Sequence, residues 1–245
     1  MIYFFSDVHL GFSSREIERK KEDLMLNFLD EISKDAEKIV IVGDFFDYWF
    51  DWNRTIPKDN YRTLAKLDEL IQKKIEIEYL IGNHDFGHYR FFKENLGIVP
   101  IENDIERVFY NKKFYISHGD GKSYNDGGYR CMKRILRNKF NQRLYRLLHP
   151  DFSIWLASKS SKKSRGMTGV KNYGESDGMR DFAFKKIDEG FDYVIMGHRH
   201  KVEYLPYNSG IYINLGDWLE LKPHYASFDG EILLLNEISF DNIKT

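Results

Sequence analysis

Cysteine is almost missing from this chain: Cys131 is the only one in 245 residues. A single thiol forms no disulfide within the chain and builds no thiolate cluster, so any metal chemistry must rest on oxygen and nitrogen donors. Long apolar runs are missing as well. No stretch approaches the roughly 18 to 20 uninterrupted apolar residues that a membrane-spanning helix needs. The opening MIYFFSDVHL has no basic leader and meets an acid at Asp7, which argues against a secretory signal and leads us to expect a cytoplasmic protein. Internal repeats and low-complexity tracts are also lacking. What the chain does have is 42% hydrophobic and 16% aromatic residues, enough for one substantial core spanning 1–245 and too many for a disordered chain.

The net charge is −1, and it is unevenly spread. Between Arg130 and Lys171 there are twelve Lys or Arg and one acid, Asp151, so this window carries +11 and the remainder −12. Such a segment calls for an anionic partner.

Short apolar runs alternate with helical patterns. IYFF, KIVIV, IEIEYLI, KFYIS and YVIM read as strands, and helices are expected at about 16–33, 60–74 and 175–189. This alternation predicts an α/β protein with helices over a central sheet. The tail, with GIYINLGDW, HYASFD and EILLLNEI, reads as further strands that would form a second sheet. Within the basic window, Ile135, Leu136, Phe140, Leu144, Leu147 and Leu148 recur at helical spacing, and Pro150 opens a second helix carrying Phe152, Ile154, Trp155 and Leu156. We read about 122–172 as a basic, amphipathic helical insertion between core strands.

Five strand-like runs end in polar clusters: SDVHLG (6–11), GDFFDYW (43–49), GNHD (82–85), SHGD (117–120) and GHRH (197–200). One GD or GN marks an ordinary turn. In open α/β sheets, however, ligands bind beyond the carboxyl ends of the strands, where five such clusters would meet. Asp7, Asp44, Asn83, His9, His118, His198 and His200 would then offer hard-to-borderline donors. Seven ligands with one shared carboxylate suit two divalent ions, with Mn²⁺, Fe²⁺ and Zn²⁺ all acceptable. His198 and His200 fall where a strand has ended and the chain is turning, which lets them reach different ions.

In order and spacing, these clusters resemble the calcineurin-like metallophosphoesterase superfamily, whose pattern is D-x-H, G-D, G-N-H-D, H and G-H-x-H. The resemblance implies a four-layer α/β/β/α sandwich. It implies one metal held by Asp7, His9, Asp44 and His200, and a second held by Asp44, Asn83, His118 and His198. His84 becomes the non-ligand histidine beside the phosphate, oriented by Asp85. Two ions about 3.5–4 Å apart clamp a phosphoryl oxygen and lower the pKa of water, so no side-chain nucleophile is needed.

Within the superfamily, the extended GDFFDYW, the LGDW at 215–218 and the basic insertion look like the UDP-2,3-diacylglucosamine hydrolase family of lipid A biosynthesis. That resemblance implies Mn²⁺, hydrolysis of a nucleotide-sugar lipid to UMP and 2,3-diacylglucosamine 1-phosphate, and peripheral contact with the cytoplasmic side of the inner membrane. It also implies substrate contacts at Asn83, His84, His198, Asp126, Tyr129, Ser158, Lys162 and Arg165. Cations in the insertion would attract phosphates while its apolar face shelters acyl chains. One departure is His84, where many members of this family carry arginine; it leaves a broader phosphodiesterase or a nuclease as the alternative. A nucleic-acid partner is disfavoured because the insertion lacks a row of stacking aromatics. His88, His149 and His224 lie outside the motifs and read as packing or surface residues.

Overall fold

A computed structural model describes residues 1–11, 13–124, 133–157, 178–219 and 221–238. Its strands are β1 (Ile2–Phe5), β2 (Lys38–Val42), β3 (Glu76–Leu80), β4 (Pro100–Ile101), β5 (Ile105–Phe109), β6 (Lys112–Ser117), β7 (Tyr193–Met196), β8 (Val202–Tyr207), β9 (Gly210–Leu215), β10 (His224–Phe228) and β11 (Leu233–Glu237). Its helices are α1 (Arg15–Ile32), α2 (Tyr61–Gln72), α3 (Phe91–Asn95), α4 (Lys139–Tyr145) and α5 (Gly178–Asp188). Two sheets form, in the orders β11-β10-β1-β2-β3-β4 and β5-β6-β7-β9-β8.

The layering follows from side-chain alternation, since successive strand residues point to opposite faces. In β1, Tyr3 and Phe5 join one cluster, which Leu24, Met25, Phe28, Leu29 and Ile32 of α1 and Leu64, Leu67 and Leu70 of α2 complete. Ile2 and Phe4 join a different cluster, between the sheets, with Val40 and Val42 of β2 and Phe114, Ile116, Ile195, Ile213 and Leu215 across. The outer face of the second sheet packs Val194, Met196 and Tyr212 against Met179, Ala183 and Ile187, one stripe of α5 at i, i+4, i+8. Strands buried on both faces read as continuous apolar runs, which is why IYFF and YVIM are so uniformly hydrophobic. The molecule is a mixed α/β sandwich of two sheets flanked by helices.

The tail departs from expectation. It does not make the second sheet by itself: β8 and β9 enter that sheet, while β10 returns to pair antiparallel with β1, matching Ile2 to Phe228, and β11 adds outside it. The parallel strands β1, β2 and β3 run side by side, as do β6, β7 and β9, so each set presents its carboxyl ends at one edge. Among the described residues, no helix is long and apolar enough to cross a membrane.

In the described part of the insertion, helical segments cover 133–136, 139–145 and 150–157. Its apolar side chains are not core: Leu147 is 82% exposed, Phe140 64% and Trp155 49%.

His88 lies in an aromatic cage of Trp49, Tyr79 and Phe92, and neither ring nitrogen has a hydrogen-bond partner among the described residues. Burial pushes its pKa down from 6.5 to about 3. Below pH 6.5 the unfolded chain takes up a proton that the folded one refuses, so this residue lowers stability as pH falls toward 3. The effect amounts to about 2 kcal/mol at pH 5 relative to neutral pH. His88→Phe should therefore flatten the acid side of the stability profile by that amount in urea titrations at pH 7.5 and pH 5. Parallel profiles for parent and variant would contradict it.

Candidate metal centre

Asp7, Asp44, Asn83, His118 and His198 each follow the carboxyl end of a strand, β1, β2, β3, β6 and β7 respectively, and these ends meet. The donor atoms fall into three close groups: Asp7, His9 and His200; His9, Asp44 and His84; Asp44, His118 and His198. Asp44 links the last two. His9 Nε2 lies 3.7 Å from both Asp7 Oδ1 and Asp44 Oδ2, and His200 Nε2 lies 3.7 Å from Asp7 Oδ1. On the other side, His118 Nε2 lies 3.4 Å from Asp44 Oδ2 and 3.0 Å from Asn83 Oδ1.

The backbone carries these side chains in an unusual state. Asp7, His9, Asp44, His198 and His200 have φ of 52°, 49°, 49°, 70° and 56°. That is the left-handed region, which Asp and His tolerate better than most residues but which still costs of order 1–3 kcal/mol each. Close approach needs glycine beside them. A Cβ at Gly82 would collide with Asp44, and one at Gly197 with Asp7 and Ser6.

Hydrogen bonds fix which nitrogen of each imidazole faces the cluster. His118 Nδ1 lies 2.9 Å from the carbonyl of Val42. A carbonyl only accepts, so Nδ1 carries the proton and Nε2 is directed at Asp44 and Asn83. In the same way His200 Nδ1 donates to Asp217 Oδ2 at 2.9 Å, leaving Nε2 toward Asp7. The main chain of the first cluster is held from α1, where the fully buried Lys21 donates to the carbonyl of His9 at 2.6 Å and pairs with Glu18 at 2.9 Å.

Electrostatics favour a cation here. Burial alone would push the Asp44 carboxyl up, but the His118, His84 and His9 rings outweigh it and hold Asp44 well below the carboxylate range. Burial would lower His118, yet Asp44 and Asp7 push it up to about 10. His9, with Asp44 and Asp7 only partly offsetting burial, is pushed down to about 4. Among the described residues, buried Asp7 Oδ1 and both ring nitrogens of His9 have no hydrogen-bond partner. Orphaned donors and acceptors this deep are costly unless they bind something, and an oxygen and nitrogen set of this kind fits divalent metals.

Asp85 does not orient His84. Its Oδ1 accepts from Gly82 N at 2.7 Å and its Oδ2 from Phe45 N at 2.9 Å and from the Tyr79 hydroxyl, so the carboxylate stitches the β2 and β3 loops together. In a turn, the residue after His84 points away from it. The ring of His84 instead places Nδ1 3.0 Å from the carbonyl of Asp47 and 3.3 Å from its carboxylate. Sequence reading left Asp47 without a role, although it stands three residues after Asp44 in the same motif. His84 is 20% exposed where His9 is sealed, and it sits edge-on to His9 at 4.8 Å. Asp126, Tyr129, Ser158, Lys162 and Arg165 lie outside the described residues.

The chain is 31% identical to the UDP-2,3-diacylglucosamine hydrolase of Porphyromonas gingivalis (strain ATCC BAA-308 / W83), covering 97% of both chains. It is 27% identical to the protein of that name from Haemophilus influenzae (strain ATCC 51907 / DSM 11121 / KW20 / Rd), over 92% of each, and 27% identical to that of Neisseria meningitidis serogroup B (strain ATCC BAA-335 / MC58), over 94% of each. The family model for calcineurin-like phosphoesterase matches residues 1–202, which span every donor just described. With that match running through both sheets and all five strand-end clusters, the chain belongs to the calcineurin-like phosphoesterase family and is a metal-dependent hydrolase.

Proposed function

We propose that this protein hydrolyses the pyrophosphate of UDP-2,3-diacylglucosamine to UMP and 2,3-diacylglucosamine 1-phosphate. Asp7, His9, Asp44, Asn83, His118, His198 and His200 would hold two divalent ions, with Mn²⁺ foremost. The observation that carries the reading is an insertion with aliphatic and aromatic side chains turned outward, bonded to the very loops that bear the donors. The full-length similarity to three proteins of that name supports it. A polar nucleotide-diphosphate end suits the donor cluster, and acyl chains suit Leu147, Phe140, Phe152 and Trp155.

When bound, two divalent ions supply Lewis acidity toward a phosphoryl oxygen and depress the pKa of water. The chain's own groups do the rest. Asp44 faces both histidine sets and keeps them at one spacing. His84, its Nδ1 proton fixed on the carbonyl of Asp47, presents Nε2 to the reacting phosphate; in the imidazolium form Nε2 carries the proton that a departing oxygen takes up. The same apolar, basic surface would rest on the cytoplasmic face of the inner membrane, where such a substrate lies.

Product analysis decides the reading. The protein and Mn²⁺ are incubated with UDP-2,3-diacylglucosamine, bis(p-nitrophenyl) phosphate and single-stranded nucleic acid in parallel. Release of UMP and the acylated sugar 1-phosphate, far faster than turnover of the other two, is expected. Turnover of the diester or nucleic acid alone would discard the lipid substrate.

A further inference from the structure

Not all of the basic window is aimed at a ligand. Arg137, at the end of the 133–136 helical turn, donates through one guanidinium nitrogen to the carbonyl of Glu102 at 2.8 Å. Through the other it donates to the carbonyls of Gly82 at 2.9 Å and Ile81 at 3.3 Å. The Gly82 peptide is thereby gripped on every side. Its amide is held by Asp85, its Cα is pressed against Asp44, and its carbonyl is held by Arg137. The next two residues are Asn83, whose Oδ1 faces His118, and His84, whose amide donates to Asp44 Oδ1 at 2.8 Å. Further along the insertion, Gln142 donates to the carbonyl of Phe86 at 3.4 Å, and Arg146 donates to that of Asp51 at 3.1 Å while lying over the Tyr89 ring.

We propose that Arg137 is a positioning residue for the Asn83–His84 segment, which makes the insertion part of the frame of the donor cluster and not solely a cover over it. Three carbonyls from two strand ends are bound by one rigid, permanently charged fork, a geometry lysine does not reproduce. The inference rests on reading the donor cluster as the reacting centre; it is independent of the lipid substrate. It separates Arg137 from a phosphate-binding role in a measurable way. A substrate contact in the insertion matters only for a substrate large enough to reach it, whereas a positioning residue matters for every diester.

The test uses full-length Mn²⁺-loaded protein in four forms: parent, Arg137→Ala, Arg137→Lys and Arg134→Ala. Arg134 is exposed and makes no hydrogen bond or ion pair among the described residues, so its loss removes equal charge and no staple. Arg137→Ala should lower kcat for bis(p-nitrophenyl) phosphate about 10- to 100-fold with little change in KM, the scale of a lost outer partner of metal ligands. Amide exchange over residues 81–88 should rise in the same variant, and added guanidinium ion should restore part of the rate. Arg137→Lys should recover only a fraction and decides the matter if the alanine variant fails to fold. Arg134→Ala should leave the small-diester rate unchanged. An unchanged small-diester kcat in both Arg137 variants, with only the KM for UDP-2,3-diacylglucosamine raised, would overturn the inference and make Arg137 a substrate contact. If the parent turned over neither substrate, the hydrolase reading would fall instead, and amide exchange with Mn²⁺ affinity would still decide Arg137.

Discussion

Asp44→Ala is expected to strip the protein of bound divalent metal and to reduce turnover below about 1%, given that even outer partners of metal ligands are worth about 10- to 100-fold. The reason is positional. Oδ2 of Asp44 lies near both His9 Nε2, at 3.7 Å, and His118 Nε2, at 3.4 Å, and Asp44 belongs to two of the three donor groups found among the described residues. Its carboxylate is buried, which alone would favour the neutral acid, yet three imidazoles hold its pKa well below the usual range, so the anion persists across the working pH range. Alanine removes that anion from both groups at once. Elemental analysis of the purified variant should find little metal. Added Mn²⁺ should raise the parent's Tm, since a ligand at about 100 times its Kd contributes about 2.7 kcal/mol, and should leave the variant's Tm unmoved. Asp44→Asn separates charge from scaffolding, because an asparagine oxygen still accepts the His84 amide. If the asparagine variant kept both metals, Asp44 would be a structural acceptor and the shared-carboxylate reading would fail.

The donor set was readable in the sequence because its signal is compound. Each cluster is an apolar run that stops at a polar pair, and runs of that kind are β1, β2, β3, β6 and β7 in the fold. The unread strands fail for local reasons. β5, IERVF, carries adjacent Glu106 and Arg107 and lacks an apolar run, while β8, VEYLPY, contains Pro206, which marks it as an edge strand and nothing more. The return of β10 to β1 is a pairing across more than 200 residues, and a strand's own pattern does not name its partner.

Side-chain partners were the least legible. The family resemblance implied Asp85 as the residue orienting His84, but Asp85 bonds elsewhere, and the neighbour of the His84 ring, Asp47, lies 37 residues away. Arg137 looked like one more cation for a phosphate, and its partners are three carbonyls that no sequence pattern marks. The same limit explains the insertion. Helical spacing predicts Phe140, Leu144, Leu147 and Leu148 on one helix, but α4 ends at Tyr145 and Leu147 and Leu148 fall in the turn beyond it; only the fold shows that these side chains look outward.

His84→Ala should give the opposite pattern to Asp44→Ala: metal retained, chemistry lost. His84 is the most exposed histidine of its group, its ring is tied to Asp47 by Nδ1, and its amide, which alanine keeps, is what bonds to Asp44. Removing the ring therefore leaves Asp7, His9, Asp44, Asn83, His118, His198 and His200 in place while deleting a partly exposed imidazole tied down through Nδ1. A positioned proton donor is worth about 10²–10⁴ in rate, so kcat should fall by that range with KM within a few-fold of the parent. His84→Arg splits the two roles of this position. Arginine places a cation beside the phosphate that stays protonated, so a variant that recovers rate would show charge stabilisation to be the main contribution, and one as slow as alanine would show proton delivery. His84 also stands within donor distance of His9 and Asp44. Loss of metal in His84→Ala, read by elemental analysis before any assay, would place His84 among the ligands and overturn its role beside the phosphate.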